Sequence, residues 1–92
     1  MKNLQLALKG EYFDEIKNGT KIFEFREVNE YWSKRLINKQ YDKLIITRGY
    51  PAKDDFSKKL EFDYNGYELQ VITHKHFGNT PTDVFAIIIK NN

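Results

Sequence analysis

One stretch of the sequence, residues 19–26, restricts the fold more than any other, because it contains both the end of a helix and the start of a strand. Gly19 can adopt the left-handed conformation that closes a helix without a Cβ clash. From Lys21 onward, aromatic and β-branched residues alternate with charged ones, which is the pattern of a strand whose side chains point to two faces in turn. The stretch therefore predicts a helix, a tight stop and a strand in direct succession.

The alternation within this strand predicts an apolar face and a polar face. Phe23 and Phe25 are expected to point into the core, and Glu24 and Arg26 to share the opposite face about 7 Å apart. Lys21 stands at the entry of the strand. A carboxylate and a guanidinium on one wall, with a lysine beside them, can hold a small polar ligand. The alternative is a surface cluster of ion pairs, worth roughly 0–1 kcal/mol.

Apolar periodicity along the rest of the chain predicts a single domain, residues 1–92, with one core. Leu4, Leu6 and Leu8 alternate with other residues as in a first strand. Helices are expected over residues 11–18 and 30–36, the second capped by Asn29. Residues 43–48 and 84–89 are apolar enough for central strands, and 51–59 read as a loop. The predicted fold is mainly β (α+β), a small mixed β-barrel of about six strands with two short helices.

Residues 60–71 carry the signal of a β-hairpin. Two alternating runs, 60–64 and 67–71, flank Asn65-Gly66, and this dipeptide tolerates the two positive φ angles of a type I′ turn. The second arm is expected to continue towards His76, so that His74 and His76 would share a strand face. The chain has no cysteine and no obvious third ligand, so no metal site is predicted there.

Composition excludes several classes of protein. Without cysteine, the chain can form neither a disulfide framework nor a thiolate metal site. No stretch approaches the ~18 apolar residues of a membrane span, and the first residues lack the apolar segment of a signal peptide. A cytoplasmic, intracellular protein with no membrane partner and no cofactor is therefore expected. Aromatic residues make up 15% of the chain, enough to fill a compact core or to line a site where flat ligands stack.

Positive charge is concentrated in residues 34–48, where the only acidic residue is Asp42. Such a segment is suited to face phosphate groups. Lys34, Arg35 and Lys39 are the expected contacts to a nucleic-acid backbone. The alternative is an ordinary solvated surface.

Residues 8–26 resemble the opening of ASCH domains, which have a PUA-like fold. The characteristic G-x-K-x-x-E-x-R motif of that family is matched without a gap by Gly19, Lys21, Glu24 and Arg26. Small bacterial and phage members are also similar to this chain at Tyr31-Trp32, Arg35-Leu36, Arg48-Gly49-Tyr50 and His76-Phe77-Gly78. The likeness thus covers nearly the whole chain, and residues 8–26 are its specific part.

The resemblance implies a PUA-like barrel with a cleft beside the first helix and the second strand, proposed for the family to bind RNA or nucleotides. In that setting Arg26 offers a planar fork to a phosphate or a base edge. Glu24 can accept hydrogen bonds from an exocyclic amine such as that of cytosine, and a nearby aromatic ring can stack on a base. The expected ligand contacts are Lys21, Glu24, Arg26, Trp32, Arg48 and Tyr50.

Three of these residues have other interpretations. Trp32 and Tyr50 can pack against the core or its rim instead of a base. Arg48 stands at the end of a predicted strand, where a surface ion pair is as well founded as a ligand contact.

Some ASCH relatives are amidohydrolases that deacylate a modified cytidine with a Lys, a Thr and a Glu. Lys21 matches the lysine and Glu24 offers a carboxylate, so these two are the candidate catalytic residues. The relatives carry Thr three residues after the lysine, where this chain has Glu24, so the hydroxyl is missing. We favour binding of RNA or a nucleotide-like ligand. The alternatives are hydrolysis of acylated cytidine-like nucleosides and a protein-interaction module, whose sign would be an apolar surface patch without a polar pocket.

Overall fold

A computed structural model describes residues 2–50 and 55–89, apart from the side chain of His76. The described residues form six strands and two helices in the order β1 (Asn3–Leu8), α1 (Gly10–Lys17), β2 (Phe23–Glu27), α2 (Glu30–Leu36), β3 (Lys43–Arg48), β4 (Lys59–Asp63), β5 (Tyr67–Ile72) and β6 (Thr82–Ile88). Short 3-10 turns cover Phe56–Lys58 and Lys75–Phe77. The predicted loop over 51–59 lies partly outside the described residues. No helix within the described ranges is long and apolar enough to cross a membrane.

The strands form two three-stranded sheets, which makes the fold mixed α+β and mostly β. In the first sheet β3 lies between β1, to which it is parallel, and β4, to which it is antiparallel. In the second sheet β6 lies between β2 and β5 and is antiparallel to both. Parallel strands need a long crossover connection, and the segment from α1 through α2 supplies it for β1 and β3.

A closed version of the predicted β-barrel is not found, because no strand ladder joins the two sheets within the described residues. Strands β1 and β2 are both edge strands, and a side chain spans the gap between them. Arg26 on β2 donates from Nη2 to the main-chain carbonyl of Ala7 on β1, 3.4 Å away. A side-chain hydrogen bond therefore links the edge strands of the two sheets at this point.

Strands β4 and β5 do not pair with each other, so the predicted hairpin is also wrong. Gly66 has a φ of 82°, but Asn65 does not take a positive φ. A type I′ turn needs positive φ at both central residues, so the turn at Asn65-Gly66 is not of this type. The turn instead carries the chain from one sheet to the other.

One core is shared by both sheets and both helices. Its strand residues include the alternating leucines of β1, as the sequence predicts, together with apolar residues of β3 and β6. Helix α1 buries Phe13 and Ile16, and α2 buries Leu36. The buried members are Leu4, Leu6, Leu8, Phe13, Ile16, Leu36, Leu44, Ile46, Phe85, Ile87 and Ile89.

Both predicted signals that set the ends of β2 are confirmed. Gly19 has a φ of 80° and ends the turn after α1. Asn29 caps α2, because its Oδ1 accepts a hydrogen bond of 2.9 Å from the Trp32 main-chain N–H. The strand that carries the motif is therefore fixed at both ends by local chemistry.

The prediction that Phe23 and Phe25 face the core is wrong. Glu24 lies opposite the core residue Ile87 in the β2–β6 ladder, and residues directly opposite each other project to the same face of a sheet. Glu24 and Arg26 therefore share the core face of β2. They are tolerated there because their side chains form an ion pair of 3.4 Å. The two phenylalanine rings are half-buried and stack on each other, with centroids 6.3 Å apart.

Candidate functional site

A cleft of about 580 Å³ opens beside α1 and β2. Its walls come from the end of β1, from α1, β2 and the start of α2, and from the segment that follows β5. The volume falls within the roughly 300–1,000 Å³ that is typical of small-molecule sites. Of the predicted ligand contacts, the structure brings four to this cleft: Lys21, Glu24, Arg26 and Trp32.

Glu24 is the buried charge of the cleft, with only 5% of its surface exposed. Its Oε1 accepts a hydrogen bond of 3.0 Å from the Phe25 main-chain N–H. Lys21 Nζ lies 3.7 Å from the same oxygen, and Arg26 Nη1 lies 3.4 Å from Oε2. A buried carboxylate is stable only when it is paired and hydrogen-bonded, and Glu24 meets both conditions. The three charged side chains form one cluster, named here the Lys21–Glu24–Arg26 cluster.

Arg26 is held rigidly in the cleft wall. Its Nη1 donates to the main-chain carbonyl of Phe25 at 2.9 Å, and its Nη2 donates to that of Ala7 at 3.4 Å. The guanidinium carbon also lies 5.3 Å from the centre of the Trp32 ring, within cation–π range. A planar donor fixed in this way can present its remaining N–H groups to a ligand with little loss of entropy.

Lys21 is held over two aromatic rings. Its Nζ lies 4.8 Å from the centre of the Phe25 ring and 5.6 Å from that of Tyr12. The side chain is only 14% exposed. The ammonium group is thus positioned at the cleft rather than extended into solvent.

Tyr12 is a cleft residue to which the sequence assigned no role. Burial raises the pKa of its hydroxyl, and the negative charges of Glu11, Glu15 and Glu24 raise it further. The phenol therefore stays protonated and can donate a hydrogen bond. Its place on α1 beside Phe13 is visible in the sequence, but no local signal marks it as a cleft residue.

The segment after β5 forms the other part of the wall. Strand β5 ends at Ile72 and a 3-10 turn covers Lys75–Phe77, so the predicted extension of the strand towards His76 is wrong. This bend brings Ile72, His74 and Phe77 to the cleft. The ring of His74 meets that of Tyr12 edge to face, with centroids 6.4 Å apart. Within the described residues, no group of three or more His, Cys, Asp or Glu side chains could hold a metal ion.

Formal charges cancel among the residues that line the cleft. A site without excess positive charge attracts phosphate only weakly. Alternating donors and acceptors are instead suited to a neutral polar group. The lining cations are Lys9, Lys21 and Arg26, and the lining carboxylates are Glu15, Glu24 and Glu27.

The structure does not bring Arg48 and Tyr50, two expected ligand contacts, to the cleft. Arg48 Nε lies 3.7 Å from Asp14 Oδ1, and the guanidinium lies so close to Gly10 that a Cβ there would clash with it. Arg48 is therefore drawn to the outside of α1, where it forms the surface ion pair that the sequence left open. Tyr50 is 94% exposed at the end of β3.

The predicted backbone contacts lie on or after the last turn of α2. Lys34 pairs with Glu30 at 3.0 Å, in a salt bridge between two well-exposed side chains. The Arg35 guanidinium lies 3.6 Å from the centre of the Tyr31 ring. Lys39 is exposed in the connection to β3. Arg35 and Lys34 therefore belong to the helix whose first turn supplies Trp32 to the cleft.

Compared with known proteins, the chain matches no family model, no curated protein and no solved structure. The likeness of residues 8–26 to ASCH domains stays a prediction from the sequence. The geometry of the cleft is therefore the basis on which a function can be proposed.

Proposed function

We propose that the cleft binds the base of RNA or of a nucleotide-like ligand, such as a modified nucleoside. The observation that carries this proposal is the buried Glu24 carboxylate, held between Lys21 and Arg26 at the wall of an open cleft. The cluster offers an acceptor flanked by two donors. Cytosine and adenine present an exocyclic amine next to a ring acceptor, which is the complementary pattern.

Shape and charge support the same class of ligand. A cleft of about 580 Å³ is large enough for a nucleoside. Its aromatic lining residues, among them Tyr12 and Phe77, suit a flat heterocycle. Because the lining charges cancel, the part of the ligand inside the cleft is proposed to be the neutral base rather than a phosphate.

The resemblance to ASCH domains gives the proposal a second support. Three of the four residues that match the family motif, Lys21, Glu24 and Arg26, line one cavity. A PUA-like fold is part of this proposal.

Hydrolysis and protein binding are less well supported. Lys21 Nζ lies 3.7 Å from Glu24 Oε1, so the candidate base is engaged by a carboxylate. Position 24 carries this carboxylate where the family enzymes have a hydroxyl. A protein-interaction module was expected to show an apolar patch without a polar pocket. The polar cleft does not fit that description.

A fluorescence titration tests the proposal. Trp32 is the only tryptophan of the chain and lines the cleft, so its emission reports on the site directly. The four ribonucleosides and an acylated cytidine are titrated into the wild type, and at least one is expected to change the emission saturably. Lys21→Gln is expected to weaken that binding about tenfold or more, since a hydrogen bond to a charged group contributes about 1.5–3 kcal/mol.

The matched control is Lys17→Gln, which removes an exposed lysine from the last turn of α1. It is expected to leave the affinity unchanged. Equal losses in the two variants, or no saturable change with any nucleoside, would contradict base binding. Release of free cytidine from the acylated nucleoside, lost in Lys21→Gln, would favour the hydrolase instead.

A further inference from the structure

Four planar side chains, named here the ladder, lie next to one another in turn from the cleft to the surface of α2. They are Arg26, Trp32, Tyr31 and Arg35. The Arg26 guanidinium lies 5.3 Å from the centre of the Trp32 ring. The Trp32 ring meets the Tyr31 ring edge to face, with centroids 5.1 Å apart. The Arg35 guanidinium lies 3.6 Å from the centre of the Tyr31 ring. Trp32 is half-buried in the cleft wall, whereas Tyr31 is 54% exposed and Arg35 is exposed. The ladder thus begins in the cleft and ends in solvent.

The outer end of the ladder is held in place. Arg35 Nη1 donates a hydrogen bond of 3.3 Å to the main-chain carbonyl of Tyr31, and the guanidinium carbon lies over the Tyr31 ring. Tyr31 and Arg35 lie four residues apart on α2, and an interaction at this spacing stabilises a helix only modestly. The guanidinium has one face on Tyr31 and, because the side chain is exposed, presents the other to solvent. A fixed guanidinium plane is a surface on which a nucleic-acid base can stack.

Charge changes along the same path. The lining charges of the cleft cancel, as described above, but the end of α2 carries Lys34 and Arg35, with Lys39 shortly after. The acidic residue of the helix, Glu30, pairs with Lys34. The end of α2 therefore carries an excess of positive charge, about one helical turn beyond Trp32 in the cleft wall. A ligand with a neutral base and a charged backbone matches a neutral cleft with a cationic exit.

We propose that α2 extends the cleft into a track for single-stranded RNA. One base occupies the cleft, the neighbouring base stacks on the outer face of the Arg35 guanidinium, and the phosphate between them lies near the cations at the end of α2. This inference rests on the proposed function of the cleft, and it selects RNA over a free nucleoside as the ligand. Stacking platforms combined with cationic grooves are the usual means of binding single strands.

Two probes and two variants of one residue test the track. The probes are a fluorescein-labelled, mixed-sequence RNA octamer and the ribonucleoside that binds best in the Trp32 titration. Arg35→Ala is expected to weaken octamer binding about fivefold or more, the loss that corresponds to one stacked base. It is also expected to reduce the slope of log K against log salt by about 0.7, the value for one phosphate contact on a single strand. Arg35→Lys keeps the charge and is expected to preserve the slope but not the affinity.

The control is Lys58→Ala, which removes one partly exposed cation that pairs with Asp55 before β4. Lys58→Ala is expected to leave octamer binding unchanged. Nucleoside binding is expected to be unchanged in Lys58→Ala, Arg35→Ala and Arg35→Lys. Equal effects of Arg35→Ala and Lys58→Ala on the octamer would overturn the track, and so would an octamer that binds no tighter than the nucleoside. In both cases nucleoside binding that depends on Lys21 would still support the cleft. If neither probe binds the wild type, both the cleft assignment and the track are wrong.

Discussion

Replacing Glu24 with alanine is expected to lower the free energy of unfolding by about 3 kcal/mol. Glu24 is 5% exposed, and its carboxylate accepts a main-chain hydrogen bond in addition to its contacts with Lys21 and Arg26. Removing it leaves two cations close together with side chains only 14% and 18% exposed. Removing one partner of a buried ion pair is costly because the remaining charges stay desolvated. Chemical denaturation of wild type and variant at neutral pH measures the difference.

Glu61→Ala is the matched control, because Glu61 is an exposed carboxylate on β4. It is expected to change the free energy of unfolding by no more than about 0.5 kcal/mol. If the free energy of unfolding of Glu24→Ala lies within about 1 kcal/mol of the wild-type value, the cluster contributes no more than surface ion pairs do. The structural reason for assigning Glu24 a role in the cleft would then be lost.

Phe13→Ala is expected to have an effect of similar or larger size, about 3–5 kcal/mol. Phe13 is 1% exposed and, with Ile16, anchors the eight-residue helix α1 in the core. A helix this short is not stable by itself in water, so its packing maintains it. Tyr12, which lines the cleft, directly precedes Phe13, so loosening α1 also displaces one wall of the cleft. Denaturation gives the stability change, and emission of Trp32 with the best nucleoside gives the loss of binding.

Glu11→Ala changes an exposed residue in the first turn of the same helix and serves as the comparison. The variant removes only a favourable charge at the helix start, so a loss below about 1 kcal/mol is expected. If Phe13→Ala costs no more than Glu11→Ala, then α1 is not held by the core in the manner described. If Phe13→Ala is strongly destabilised but binds the nucleoside with wild-type affinity, the packing of α1 does not determine binding in the cleft.

The parts of the fold that the sequence predicts well are set by near neighbours. Gly19 stops the turn after α1 and Asn29 caps α2 through groups only a few residues away. These signals need no knowledge of the tertiary fold. Within the described residues, the sequence predicts the types and the order of the helices and strands correctly, although β5 ends earlier than predicted.

The parts that the sequence misses depend on which strands meet. Asn65-Gly66 is a strong local turn signal, but β4 and β5 pair with different neighbours, so the turn links two sheets. In β2, the apolar side chains of Phe23 and Phe25 lead the sequence pattern to predict them as core residues. Pairing with β6 instead places Glu24 opposite the core residue Ile87, so Glu24 lies on the core face. Neither choice can be made from the pattern within a single strand.

The candidate site divides in the same way. Lys21, Glu24 and Arg26 lie within six residues, so the alternation of one strand and its entry was enough to predict that they cluster. Tyr12 and His74 reach the cleft from segments far apart in the chain. Only the packing of α1 and the bend after β5 bring them together, and no local pattern reports that.

The most direct test of the central claim, that the Lys21–Glu24–Arg26 cluster binds a base, is an amide chemical-shift titration of the ¹⁵N-labelled protein with the best-binding nucleoside. The Phe25 N–H donates to Glu24 Oε1, so a base that engages this carboxylate is expected to shift that amide signal, together with the indole N–H of Trp32. The most exposed apolar residues of β5, Leu69 and Val71, are expected to stay unchanged. Shifts at Leu69 and Val71 without any at Phe25 or Trp32 would contradict the account.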